Sequence, residues 1–345
     1  MKHIAFIVLV FFAVCAGAQS GLTLPEESPY ATVSQRVGIT DITVTYHSPA
    51  VKGRKIWGGI VPYNELWRAG ANENTTISFT DDVSIGGQKV GAGIYGLHVL
   101  PGEKEWVIIF SKNHTSWGSF FYKKEEDAAR VTVKPTEHEF TEWLTYSFTN
   151  KSSNSATLSL QWEKLQVSVQ IDVDSKAIVF ENIKQELRST AGFRWEGYYE
   201  AANFCYNNQY QLEQGKSWIE TAERLHPDEF VVLRLKSKYQ EAFGDSVGAA
   251  ATLKTALSKA SEGDMNTYGY ELLAQGKTKE AIEVFKTNVK NFPKSWNARD
   301  SLAEALAMSG NKAEAIKEYE QSLKNNPPAE HKTRIEETIK SLKGS

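Results

Sequence analysis

The chain has 345 residues, with 39 Lys and Arg against 42 Asp and Glu, a formal net charge of −3 and 41% hydrophobic residues. No basic cluster stands out, which speaks against a nucleic-acid partner. The length favours two domains over one and is ample for sizeable cores.

The first element in chain order is a targeting segment. Lys2 supplies a positive start, residues 4–14 form an uncharged apolar run, and Ala16-Gly17-Ala18 gives the small-x-small pattern that signal peptidase reads. We expect a signal peptide over 1–18 and an exported protein, periplasmic or extracellular and soluble after cleavage. Val14 before Cys15 is not the small residue that usually precedes a lipid-modified cysteine. No later segment is apolar and long enough to span a membrane. Cys205 is then the only cysteine left, so no internal disulfide can form. It reads as a buried, inert thiol.

Residues 22–174 are rich in Gly, Thr, Ser and Trp and fall into short alternating runs. The predicted strands are 39–46, 76–80, 83–85, 94–100, 106–110, 131–133, 144–148, 156–162 and 167–173, with Gly86-Gly87 and Pro101-Gly102 as turns. This spacing, with no strong helix between, predicts an antiparallel β-sandwich or barrel-like domain.

After Ser175 the pattern becomes helical. Gly276, Ala281, Phe285 and Pro293 recur 34 residues later as Gly310, Ala315, Tyr319 and Pro327. The period resembles the tetratricopeptide repeat, which implies two helices per unit and a surface for a protein or peptide partner. Gly244, Ala249, Leu253 and Ala256 form a weaker copy, and 212–227 reads as the second helix of another. The predicted array covers 183–343 in three to four units. Met265 and Arg299 stand where the repeat favours tryptophan, and the first two units are degenerate, so a standard peptide-carboxylate clamp is not expected.

The β region carries an unusual cluster between its first two predicted strands. Gly53-Arg54, Trp57-Gly58, Pro62-Tyr63 and Trp67-Arg68-Ala69-Gly70-Ala71-Asn72-Glu73, with Gly91-Ala92-Gly93-Ile94-Tyr95 and Trp117-Gly118, resemble the bacterial family of unknown function numbered 2911 over about 25–170. The resemblance implies an exported bacterial protein, often with a helical-repeat tail, and no known reaction.

Arg54 and Arg68 are rigid donor forks suited to a carboxylate or phosphate. Trp57 and Trp67 offer flat faces for a sugar or for the arginines. Asn72 and Glu73 add an amide and an acid. These six residues read either as a pocket for a small anionic or sugar-like ligand or as a lock that pins the loop over the sheet. The reading they support is a non-enzymatic binding or scaffold protein. The alternative is an envelope glycan- or peptide-directed hydrolase with Glu73 as acid or base. His47, His98, His114 and His138 show no metal-ligand spacing, and His98 reads as a half-exposed strand residue. No nucleophile elbow, phosphate loop or CxxC pair is present, so neither a metal nor a cofactor is expected.

Overall fold

The computed structural model describes residues 25–344, and the predicted signal peptide lies outside them. The chain divides into two compact units between Ile178 and Val179.

The first unit is two antiparallel sheets with one core between them. Ten strands are described: β1 (Tyr30–Val37), β2 (Thr40–His47), β3 (Thr76–Phe79), β4 (Val83–Ile85), β5 (Gln88–Val90), β6 (Gly93–Pro101), β7 (Trp106–Ser111), β8 (Asp127–Val133), β9 (Thr136–Thr149) and β10 (Ser155–Asp172). One sheet runs β1-β2-β3-β6-β7-β8 and the other β5-β4-β10-β9. The two-residue side-chain period decides which face is buried. In β2, Ile42, Val44 and Tyr46 enter the core while Asp41, Thr43 and Thr45 face out. In β6, Tyr95, Leu97 and Val99 enter it, which sends Gly96 and His98 to the outer face.

The predicted strands at 156–162 and 167–173 are one continuous strand, β10. Its pairing with β9 jumps from Gln161↔Thr145 to Glu163↔Thr141, a bulge centred on Glu163 at φ 57°. β1 and β5 were not predicted. β1 pairs along its length with β2 (Tyr30↔His47 to Val37↔Thr40), but before Val37 its inward positions, Ala31, Val33 and Gln35, are only half-buried, and Gln35 breaks the apolar alternation.

The second unit is helical. Within it α2 (Trp195–Asn208), α3 (Leu212–Leu225), α4 (Phe230–Ala242), α5 (Ser246–Lys259), α6 (Glu262–Ala274), α7 (Thr278–Asn291), α8 (Trp296–Met308) and α9 (Lys312–Lys324) form successive pairs, and α10 (Ala329–Gly344) follows. The division between the units falls inside α1 (Ser175–Glu186). The repeated residues pack as their types demand. Ala281, Phe285, Ala315 and Tyr319 are all buried. Phe285 lies over Gly269 of α6, where an added Cβ would come within 2.4 Å of its ring. Met265 is buried in the core at the position favouring tryptophan. Arg299, at the same position one unit later, reaches Glu318 of α9 at 2.7 Å. No helix among the described residues is long and apolar enough to cross a membrane.

Candidate functional site

All six sequence-predicted site residues lie in the long connection from β2 to β3. Its first stretch bridges the two sheets: Ser48 N bonds Pro29 O, Val51 N bonds Glu142 O, and Leu144 N bonds Pro49 O. The connection then turns at 51–61 and returns to the edge of β6, where Trp67 exchanges two backbone hydrogen bonds of 2.8 Å with Val99. Ala69 is fixed from both sides, because its carbonyl accepts from Tyr146 Oη at 2.8 Å and from Thr75 Oγ1 at 3.3 Å.

This path separates the six residues into four groups. Trp57 and Trp67 point inward. Trp57 lies 4.6 Å from Trp106, 5.8 Å from Trp162 and 5.9 Å from Trp67, ring centre to ring centre, and Trp67 stacks on Trp162. Arg54, an exposed residue, donates to Val51 O at 3.1 Å and Ala50 O at 2.6 Å and so caps its own turn. With Trp67, Trp162, Lys52 and Glu27 it lines an open cavity of about 200 Å³.

Asn72 and Glu73 meet at His47, which is almost fully buried. Glu26 Oε2 lies 2.9 Å from its Nδ1 and Glu73 Oε2 lies 2.8 Å from its Nε2, while Asn72 Nδ2 donates to Glu26 at 3.0 Å. Glu73, the acid or base of the hydrolase alternative, is thus engaged with His47. Arg68 goes elsewhere. It donates to the carbonyl of Asn72, lies 5.7 Å from the Phe120 ring centre, and its guanidinium packs on Gly118, where an added Cβ would stand 2.7 Å from Cζ.

Sequence reasoning missed the group beyond Arg68. His98 is not half-exposed: it is 2% accessible, because the connection from β7 to β8 folds over the outer face of β6. Its Nδ1 lies 2.8 Å from Ser119 Oγ, and the Tyr122 ring meets it edge-on at 5.6 Å. Asn74 is 8% accessible, and neither its Nδ2 nor its Oδ1 has a partner among the described protein atoms. The available signal was Gly96-Leu97-His98 itself, since a glycine two residues from a histidine on one strand face leaves room beside the ring.

Burial pushes the His98 imidazole down to about 4; Asp127 opposes this and Arg68 adds to it. His98 is therefore neutral at neutral pH. Tyr122 is pushed up to about 12, by burial first and then by the carboxylate of Asp127, which accepts from it at 2.8 Å and from Arg130 at 2.7 Å. A neutral imidazole beside an unpartnered amide binds polar groups through hydrogen bonds rather than charge. Among the described residues no group of three or more His, Cys, Asp or Glu is arranged to hold a metal ion. Cys205 is buried, which raises its thiol to about 11.

Comparison with known proteins returns two family models. Residues 28–171 match a protein family of unknown function, DUF2911, and residues 269–330 match a tetratricopeptide repeat. Among solved structures, the chain is similar to one described under the functional characterization of Pseudomonas aeruginosa pilF. The two share 17% identity over 40% of this chain and 64% of that one, with a TM-score of 0.27. The chain thus spans under two thirds of that structure. MamA is 14% identical over 44% of this chain and 88% of its own, with a TM-score of 0.29. YrrB, described as a TPR protein with an unusual peptide-binding site, is 15% identical over 48% and 85%, with a TM-score of 0.29. No curated protein matches the chain.

Proposed function

We propose that this chain, which joins a DUF2911 match to a tetratricopeptide-repeat match, is an exported, non-enzymatic scaffold protein whose helical array holds a protein or peptide partner. The β unit contributes a site for a small anionic or sugar-like ligand. The observation that carries the partner reading is a row of cations and aromatic rings across the first helices of three successive pairs. Arg234 of α4 reaches Glu271 of α6 at 3.0 Å and lies 5.3 Å from the Tyr268 ring centre. Lys238, one turn on, lies 5.9 Å from the ring centre of Tyr206 in α2. Burial raises the hydroxyl of Tyr199 in α2, Arg234 opposes this and Glu271 adds to it. Cations and aromatic faces in one row suit a peptide bearing acidic side chains.

A peptide library displayed against the full chain tests this. Selected peptides should be enriched in Asp and Glu, and Lys238→Ala and Arg234→Ala should weaken each by about tenfold, roughly 1.4 kcal/mol. Peptides that bind both variants as well as the parent, or no selection at all, would remove the reading.

A further inference from the structure

The open cavity of about 200 Å³ beside Arg54 is smaller than the roughly 300 Å³ at which sites for drug-sized ligands begin. That space suits a single ring rather than an oligosaccharide or a folded peptide. Its walls are apolar. Trp67 and Trp162, with ring centres 5.9 Å apart and planes at 19°, line it together with Ile60, which is 52% exposed. The Trp67 N–H is spent on Gly70 O at 3.1 Å, so that indole offers ring surface alone. The carbonyls of the lining residues Pro49 and Ala50 accept already, from Leu144 N at 2.9 Å and from Arg54 Nη2 at 2.6 Å. A hydroxylated ring needs acceptors for its O–H groups, and these acceptors are taken.

The cations of the lining are not. Arg54 uses Nε and Nη2 on its own turn, and its Nη1 has no partner among the described protein atoms. Lys52 Nζ stands 3.8 Å from Glu27, whose side chain is 92% exposed. An ion pair so open to water is screened and holds neither partner in place. Two cations against one solvated acid supply charge for an anion, and the indoles beside them supply surface for a ring.

We propose that this cavity binds an aromatic carboxylate. Arg54 and Lys52 take the carboxylate, while Trp67, Trp162 and Ile60 enclose the ring. The proposal rests on the reading that the β unit holds a small anionic or sugar-like ligand, and it narrows that ligand to an acid whose ring bears no hydroxyls.

Ligand-observed nuclear magnetic resonance titration of the full chain with benzoate tests it. Acetate lacks the ring, benzyl alcohol lacks the charge, and D-glucuronate carries the charge on a hydroxylated ring. Benzoate should bind with a Kd below about 1 mM, and each of the other three at least about tenfold more weakly. Lys52→Gln and Ile60→Asp should each weaken benzoate binding by about fivefold or more. Both residues are exposed, so both variants keep the fold. Phe120→Ala, on the connection from β7 to β8, should leave binding unchanged. Acetate or benzyl alcohol binding as tightly as benzoate overturns the proposal. So does benzoate binding that both cavity variants retain, or that Phe120→Ala alone loses. Binding of D-glucuronate without binding of benzoate overturns it too, but leaves the broader ligand reading intact. No binding of any of the four compounds up to about 10 mM removes both the proposal and the reading beneath it.

Discussion

Trp57 and Arg68 belong to one loop and one sequence signature, yet they stand in opposite environments. Trp57 is enclosed by Trp67, Trp106 and Trp162, so Trp57→Ala opens a large void and should cost about 3–5 kcal/mol. Arg68→Ala removes one hydrogen bond to a loop carbonyl and buries no orphaned acid, so it should cost about 1 kcal/mol. Urea denaturation of the two variants checks the contrast, and equal losses would contradict it. Residue types revealed that the cluster had something to explain. They could not reveal direction, because a loop without period does not tell which side chain turns inward. His98 failed for a related reason. Strand alternation rightly placed it opposite Leu97 and Val99, but the cover over that face comes from a segment some twenty residues on, which local pattern does not contain. That cover makes a pH prediction. The folded His98 titrates at about 4, below the ordinary value near 6.5. Between those values the unfolded chain binds a proton that the native protein does not, so this stabilisation is complete above about pH 6.5 and is lost as pH falls toward 4. The span corresponds to about 3 kcal/mol. His98→Asn should therefore lose less stability than the parent between about pH 7 and pH 4.5 in urea melts. Parallel losses would show that the imidazole carries no such linkage.

Elements were legible where local chemistry and tertiary role agreed. The Gly86-Gly87 turn after the predicted strand at 83–85 became the turn of the β4–β5 hairpin, with Ile85 paired to Gln88, although β5 itself was not predicted. The 34-residue period became helix pairs, because small and aromatic residues at fixed offsets are what close helix packing requires. Elements were illegible where the sheet supplied the reason: β1 buries its inward face only partly before Val37 and is aligned by its ladder with β2, and β10 crosses its bulge without breaking. The α6–α7 pair tests how tightly the repeat is built. Gly269→Ala would gain about 1 kcal/mol of helix propensity in an isolated helix. In the pair, the new methyl meets the Phe285 ring, and the ring sits fully buried with no free end to yield. Overpacking of this kind costs about 1–3 kcal/mol, so the net effect should be destabilising. Hydrogen exchange should show faster opening of 262–291 in the variant, with the β unit unchanged. Slower exchange there would mean that propensity outweighs packing.

At the scale of the whole molecule, the two units hold separate cores. The β core runs from Val37 to Val173 with Trp57, Trp106 and Trp162 within it, and the buried residues of the helical cores begin at Phe180; among the described residues no buried residue belongs to both. They also differ in how their contacts are made. The sheets join residues far apart in sequence, as in Ala50 opposite Trp143, whereas the array packs each helix mainly on its neighbours. Units that share no core need not unfold together, and an array of neighbour contacts propagates damage only along itself. Trp57→Ala should therefore split thermal unfolding. Loss of near-ultraviolet signal from the tryptophan cluster should move down by more than about 10 °C, since about 3–5 kcal/mol in a domain of this size shifts the midpoint by that much. The helical far-ultraviolet transition should stay where it is in the parent. A single transition displaced as a whole would mean that the array draws its stability from the β unit. The two sites proposed for this chain would then be energetically linked, and a ligand on the sheet would alter the affinity of the array for its partner.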